Sequence, residues 1–323
     1  MPTLRTNEGS DPAQRTGALI TVDLAALAPP DAGSAASLAL LQVQCDGWAA
    51  SPELYAVILR ANAAPARIGS TAREDLAALT RLAWRFECFP KPLVALIDTH
   101  ISFAALTLTQ FTTHRVGGAA YRFAVPTLSA RGGLPLAGIA HTLARLPGAT
   151  GMYLAMSGHT IGPADALALG LLTHTIADAN YPDIIAALAD ALPIDPLLDA
   201  YPPDPAGPSL APHRAAIARC FSAASPDGIA TALAAERGAN AAWARDTLSA
   251  LGTKSGTELA VTHRLISEAS QLDVRASLHL SHSIALQLHA AGAQNPPPLD
   301  ILFAATNTDF LLPARSELVF GRF

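Results

Sequence analysis

Ten histidines and three cysteines are the residues of this chain best suited to proton transfer, metal binding or nucleophilic attack. His100, His114, His141, His159 and His174 fall in its first two hundred residues, and none stands at metal-ligand spacing. No metal site is expected, and a lone imidazole of this kind reads as structural or solvated. Cys45, Cys88 and Cys220 are far apart, odd in number and set in apolar or mixed surroundings. That pattern suits reduced, buried thiols better than a disulfide framework or a zinc site. Phosphate loops, dinucleotide fingerprints, H-E-x-x-H and G-x-S-x-G are all missing. A serine nucleophile with its His and acid cannot be assembled from spacing alone. The segment best placed to hold a substrate is Val94 to Thr109, "VALIDTHISFAALTLT". It reads as a buried strand, a small-residue turn and a helix, where α/β enzymes often put substrate-binding backbone.

The elements that must position this segment follow from periodicity. "ALITVDL" (18–24) alternates and carries β-branched residues, so a first strand is expected. A helix with Ser34 as its cap follows over 34–50, then "LYAVILRA" (54–61) as a strand covered on both faces. "REDLAALTRLAWRFECF" (73–89) predicts an amphipathic helix closed by Pro90 and Pro92, with "LVALID" (93–98) as another buried strand. A short helix is expected over 104–113 and a strand over 121–127, "YRFAVPT". Helices are predicted over 137–148, 150–158 and 162–171, a short strand over 173–178 and a helix over 181–192. This βα alternation indicates an α/β class.

The organisation then reads as a disordered leader (1–16), an α/β core (17–192), a Pro-rich connection (193–213), a helical region (214–293) and an irregular tail (294–323). Within the helical region, Ser225 is the expected N-cap of "PDGIATALAAE". The 323 residues are half hydrophobic and 15% charged, with a net charge of −5. The chain is long enough for a sizeable core, and its mild acidity speaks against nucleic acid or an anionic membrane surface as partner. No apolar run reaches the roughly 18 to 20 residues that span a bilayer, and the polar start lacks a signal-peptide core. A cytoplasmic location is the expectation.

Several phrases, in order, carry a resemblance. "AVILRA", "ARIGSTARED" (66–75), "CFPKPLVALID" (88–98), "RFAVPT" (122–127), "GGLP" (132–135), "LARLPG" (143–148) and "YLAMSGHTIGPADALALGLLTHTI" (153–176) resemble the enoyl-CoA hydratase/isomerase (crotonase) superfamily. "RCFSAASPDGIATALAAE" and "WARDTLSALGTKSGTELAVTHRLI" (243–266) are similar to its 3-hydroxyisobutyryl-CoA hydrolase branch, and the likeness runs over about residues 17–290. The resemblance implies an α/β fold, a crotonase-like spiral of ββα units with a helical C-terminal region. It also implies a coenzyme A thioester as substrate or ligand, with no covalently bound cofactor. The family reaction is hydrolysis of a short 3-hydroxyacyl-CoA in valine degradation, and relatives often form trimers.

In that family two backbone N–H groups stabilise the oxyanion that develops on the thioester, each contributing about 3 to 4 kcal/mol. The resemblance places them at Ser70, after Ile68 and Gly69, and at Ala104, after Phe103. Replacing Gly by Ala keeps the N–H but adds a Cβ where the thioester must approach, and Phe103 could partly fill the acyl pocket. The family's catalytic carboxylates match Thr127 and Leu136. A threonine hydroxyl stays neutral and cannot act as the base, so the family mechanism cannot run as written. Ser129, Arg131, His100 and His114 lie near these motifs as substitutes, and Lys91 and Arg73 are candidates for CoA phosphate contacts. Three readings stay open: a hydrolase or hydratase/isomerase with a rebuilt catalytic set, a pseudoenzyme that still binds acyl-CoA, and a scaffold subunit beside a neighbouring enzyme.

Overall fold

The structure is a computed structural model that describes residues 13–24, 34–61, 73–99, 103–125, 134–202, 207–291, 297–304 and 310–318. Its strands are β1 (Ala13–Thr16), β2 (Leu19–Asp23), β3 (Ala56–Ala61), β4 (Leu93–Ile97), β5 (His114–Gly117) and β6 (His174–Thr175). They form one sheet in sequence order, with β1 antiparallel to β2 and every later pair parallel. The helices of the first half are α1 (Ser34–Ala50), α2 (Arg73–Glu87), α3 (Phe103–Thr109), α4 (Ile139–Ala144), α5 (Thr150–Ser157), α6 (Pro163–Ala168), α7 (Tyr181–Ala189) and α8 (Ile194–Asp199). The C-terminal region adds α9 (Arg214–Phe221), α10 (Pro226–Ala235), α11 (Ala241–Gly252), α12 (Gly256–Ala269), α13 (Val274–Ala291) and α14 (Leu299–Ala304).

Strand alternation divides the interior into two layers. Val57, Leu59, Ala95 and Ile97 face a large core shared with α1 to α5 and the C-terminal helices. Ile58, Val94, Leu96 and Val116 face a smaller core closed by α7 and α8. All five residues of β4 are buried, the signature of a parallel strand covered on both faces. Each Val, Leu or Ile buried there contributes about 1.5 to 3 kcal/mol. The predicted N-cap also forms: Ser225 Oγ accepts from the Gly228 N–H at 3.1 Å.

Four expectations need correction. Residues 13–16, read as part of a disordered leader, pair with β2 through a two-residue hairpin whose Gly17 has a φ of 57°. The polar string "AQRT" hides this, because the partner strand and the glycine turn make the pairing. Of the strand expected over 121–127, the described residues 121–125 show bridge pairing, Phe123 with Ile161, and no strand, and β5 lies earlier, at His114–Gly117. The alternation of Tyr121, Phe123 and Val125 marked burial correctly, all three being 5% exposed or less, but not sheet pairing. The Pro-rich connection contains α8, seated on the sheet by Ile194 and Leu198, with Pro196 tolerated in its first turn. The tail read as irregular contains α14, and Leu302, Phe310 and Leu312 are buried in the main core. The Trp84 indole N–H donates to the Pro313 carbonyl at 2.9 Å, fastening this tail to α2.

Two helices of the main core cross with no room to spare. A Cβ on Gly151 would lie 1.8 Å from the Leu143 carbonyl oxygen, so α5 can approach α4 this closely only with glycine there. Gly151→Ala must push the helices apart, and a cost of about 3 kcal/mol is expected. Urea unfolding of the variant checks this, and an unchanged midpoint would show that the crossing is slack.

Candidate functional site

The C-terminal end of β4 is where the sequence placed the site, and Ile97, its last residue, lines a cavity of about 90 Å³. The cavity lies between β5, α3 and α4. Leu106 and Thr109 come from α3, Gln110 from the turn that follows it, Arg115 from β5, Ile139 and Thr142 from α4, and Tyr121 and Phe123 from the segment after β5. Gly170 and Leu171, in the turn before β6, complete the wall.

Several of its polar groups are tied down. The Arg115 guanidinium donates to the carbonyls of Leu171 at 2.8 Å, Thr112 at 2.8 Å and Gly170 at 3.3 Å. Burial lowers its pKa, an effect opposed by the charge of Tyr121 when that phenol ionises. The Tyr121 side chain is 2% exposed, and burial raises its pKa despite the nearby arginine, so it stays a neutral O–H donor. Thr109 Oγ1 donates to the Ala105 carbonyl at 2.8 Å, and Thr142 Oγ1 to Gln110 Oε1. Among the described lining residues there is no Asp, Glu, His or Cys, and therefore no general base.

Asp98, directly after β4, does not supply one to the cavity. Ile97 faces the cavity, so the alternation sends Asp98 to the opposite face. There burial raises its pKa, opposed by Arg60 and reinforced by Asp178 and Asp23. Its Oδ1 is buried with no hydrogen-bond partner among the described residues.

The sequence-derived site residues fare unequally. Ile68, Gly69, Ser70 and Thr127 lie outside the described residues, as do His100, Ser129 and Arg131. Phe103 and Ala104 open α3, so the helical bonding pattern supplies no acceptor for the Ala104 N–H. The helix therefore begins where the family's second oxyanion donor is expected. Leu136, which the resemblance aligns with a family acid, sits in a turn and is 3% exposed in the main core. That position is packed as a hydrophobe and has no carboxylate function. Lys91 lies two residues before β4, at its other end, six residues and roughly 20 Å of extended chain from Ile97. Its ammonium donates to the Ser51 carbonyl, and burial lowers its pKa. The three thiols are free and buried, as expected, with Cys45 pushed up to about 12 and Cys88 and Cys220 to about 11 by burial.

Sequence reasoning missed Gln110, Arg115, Tyr121 and Thr142. The only signal was the alternation that buried Tyr121. It also missed Thr107, whose hydroxyl is fully buried in α3 without a partner among the described residues. His114 was considered as a relocated base and is engaged elsewhere. Its Nε2 lies 2.9 Å from Asp195 Oδ1 on α8, and its Nδ1 lies 3.0 Å from Thr113 Oγ1.

Comparison with known proteins agrees with this architecture. A sequence profile described as enoyl-CoA hydratase/isomerase matches residues 36–294. The mitochondrial 3-hydroxyisobutyryl-CoA hydrolase of Xenopus tropicalis is 28% identical over 79% of this chain and 72% of its own length. The 3-hydroxyisobutyryl-CoA hydrolase 1 of Arabidopsis thaliana is 33% identical over 45% of the chain and 40% of its own length. Small ribosomal subunit protein mS47 of Schizosaccharomyces pombe is 26% identical over 63% of the chain and 50% of its own length. Among solved structures, a carnitinyl-CoA dehydratase from Mycobacterium thermoresistibile superposes with a TM-score of 0.72 at 20% identity, covering 95% of this chain and 98% of that one. An enoyl-CoA hydratase from Rhodobacter sphaeroides gives 0.69 at 23% identity, covering 86% and 85%.

On α4, beside the cavity, burial and the Arg145 charge lower the pKa of His141 from 6.5 to about 4, opposed by Asp273. Its Nδ1 is buried without a partner among the described residues. The unfolded chain therefore takes up this proton first, and stability is lost as pH falls from about 6.5 towards 4. His141→Leu removes that loss. The difference in unfolding free energy between variant and wild type should shift in the variant's favour by about 2 kcal/mol between pH 7.5 and pH 5. A difference constant with pH, measured by urea titration, would show that burial does not hold His141 neutral.

Proposed function

The chain belongs to the enoyl-CoA hydratase/isomerase family, and from that premise we propose that it binds an acyl-CoA thioester of the 3-hydroxyisobutyryl-CoA type without hydrolysing it by the family's carboxylate mechanism. The observation that carries this reading is Leu136. The position of an assisting acid is occupied by an aliphatic side chain embedded in the core. Thr127, at the position of the principal carboxylate, cannot accept the proton that hydrolysis must move. The backbone part of the site needs no particular side chain. An N–H at Ala104, at the start of α3, and another at Ser70 would still hold a thioester oxygen.

A second reading, a subunit serving assembly without a ligand, draws on the relative that is a small ribosomal subunit protein. The two differ in whether the site still accepts a thioester. A location in the cytoplasm accords with both.

Calorimetric titration with 3-hydroxyisobutyryl-CoA, together with an assay for released thiol, tests the proposal. Saturable binding is expected, with thiol release no faster than in the absence of protein. Ala104→Pro, tolerated in the first turn of a helix but lacking the N–H, should weaken binding about five-fold. Turnover that disappears in this variant would overturn the non-catalytic reading, and no binding by the wild type would favour the assembly role.

A further inference from the structure

The cavity beside β5 has an unusual balance of donors and acceptors. Arg115 carries five N–H groups and spends three of them on the carbonyls of Thr112, Gly170 and Leu171. Two remain. The Tyr121 hydroxyl has no hydrogen-bond partner among the described residues, although its side chain is only 2% exposed and lines the cavity. Gln110 donates one N–H to the Thr107 carbonyl at 3.3 Å and keeps a second. Against these donors no carboxylate lines the cavity, and Arg115 takes part in no salt bridge among the described residues. A partly buried cation without a counter-charge beside an unpaired phenol is a costly arrangement, and an anion would relieve both.

We propose that this cavity is a binding site for the carboxylate of a small organic acid, held by the Arg115 guanidinium and the Tyr121 hydroxyl. Charge and size select the class. One arginine matches a monoanion better than a phosphate dianion, and about 90 Å³ has room for about six water-sized groups, a carboxylate of three or four carbons. Ile97, Leu106, Phe123 and Ile139 supply apolar wall for the short carbon chain. Gly170, an exposed lining residue, marks where solvent reaches the cavity. The carboxylate can belong to a free acid or to the far end of a dicarboxylic acyl chain. The site rests on the cavity alone and does not require that the protein bind thioesters.

Removing Arg115 would also cut its three carbonyl bonds and endanger folding, so the informative variant is Tyr121→Phe, which keeps the ring and deletes only the hydroxyl. Titration of the full chain with propionate should show saturable binding, weakened about ten-fold in Tyr121→Phe and about ten-fold for the neutral isostere propionamide. Succinyl-CoA and propionyl-CoA distinguish the two sources. A preference for succinyl-CoA that vanishes in Tyr121→Phe assigns the site to an acyl-chain carboxylate. Saturable propionate binding without that preference assigns it to a free acid. The proposal is overturned if propionate does not saturate and succinyl-CoA is not preferred, if propionamide binds as well as propionate, or if Tyr121→Phe binds as the wild type does.

Discussion

The double burial of β4 is the constraint from which the rest of the molecule follows. Its five side chains alternate between two cores, so neither face can be given up, and its backbone is paired on one edge by β3 and on the other by β5. A one-residue slip would move Ile97 off the cavity face and bring Asp98 to it. The strand's register therefore decides which of these two residues looks into the cavity, and it sets the point from which the chain reaches α3. Everything the site offers is measured from the end of this strand.

Around that strand, polar groups act as fasteners at the edges. His114 and His174 stand side by side, ring centroids 6.5 Å apart, each facing an aspartate one turn apart on α8. Asp165 accepts from the Leu210 N–H at 2.9 Å and from Ser209 Oγ at 2.6 Å, which brings the Pro-rich stretch back onto α6. Each gives a carboxylate a fixed donor, on exposed side chains at Asp195 and Asp199 and on a buried one at Asp165. Their worth lies in orienting segments that bury little apolar area of their own. His114, considered as a substitute base, is used in this way.

The departures from the family pattern form a consistent set when placed in the structure. The resemblance aligns an assisting acid with Leu136, a core residue, and the glycine turn with Phe103-Ala104-Ala105 at the start of α3, and the polar lining of the cavity beyond consists of hydroxyls, an amide and a guanidinium. In the proposed reading, a scaffold of backbone donors is kept while the groups that would move protons are replaced. Binding is a property of that scaffold, and hydrolysis would need the missing carboxylates.

The sequence by itself determined the α/β class, the buried strands at 56–61 and 93–97, the long helices and the family, because these depend on local periodicity and on the order of short motifs. Through the resemblance it also led to the expectation that the family's carboxylates fall at Thr127 and Leu136. Tertiary structure decided the rest. The string "HRVG" is a strand only because β4 offers it an edge, and "AQRT" only because β2 does. Lys91 and Asp98, seven residues apart in the chain, flank opposite ends of one strand. Gln110, Arg115, Tyr121 and Thr142 meet across a single cavity from one strand, one helix and two connecting segments, a convergence that sequence spacing does not encode because packing of helices against the sheet creates it.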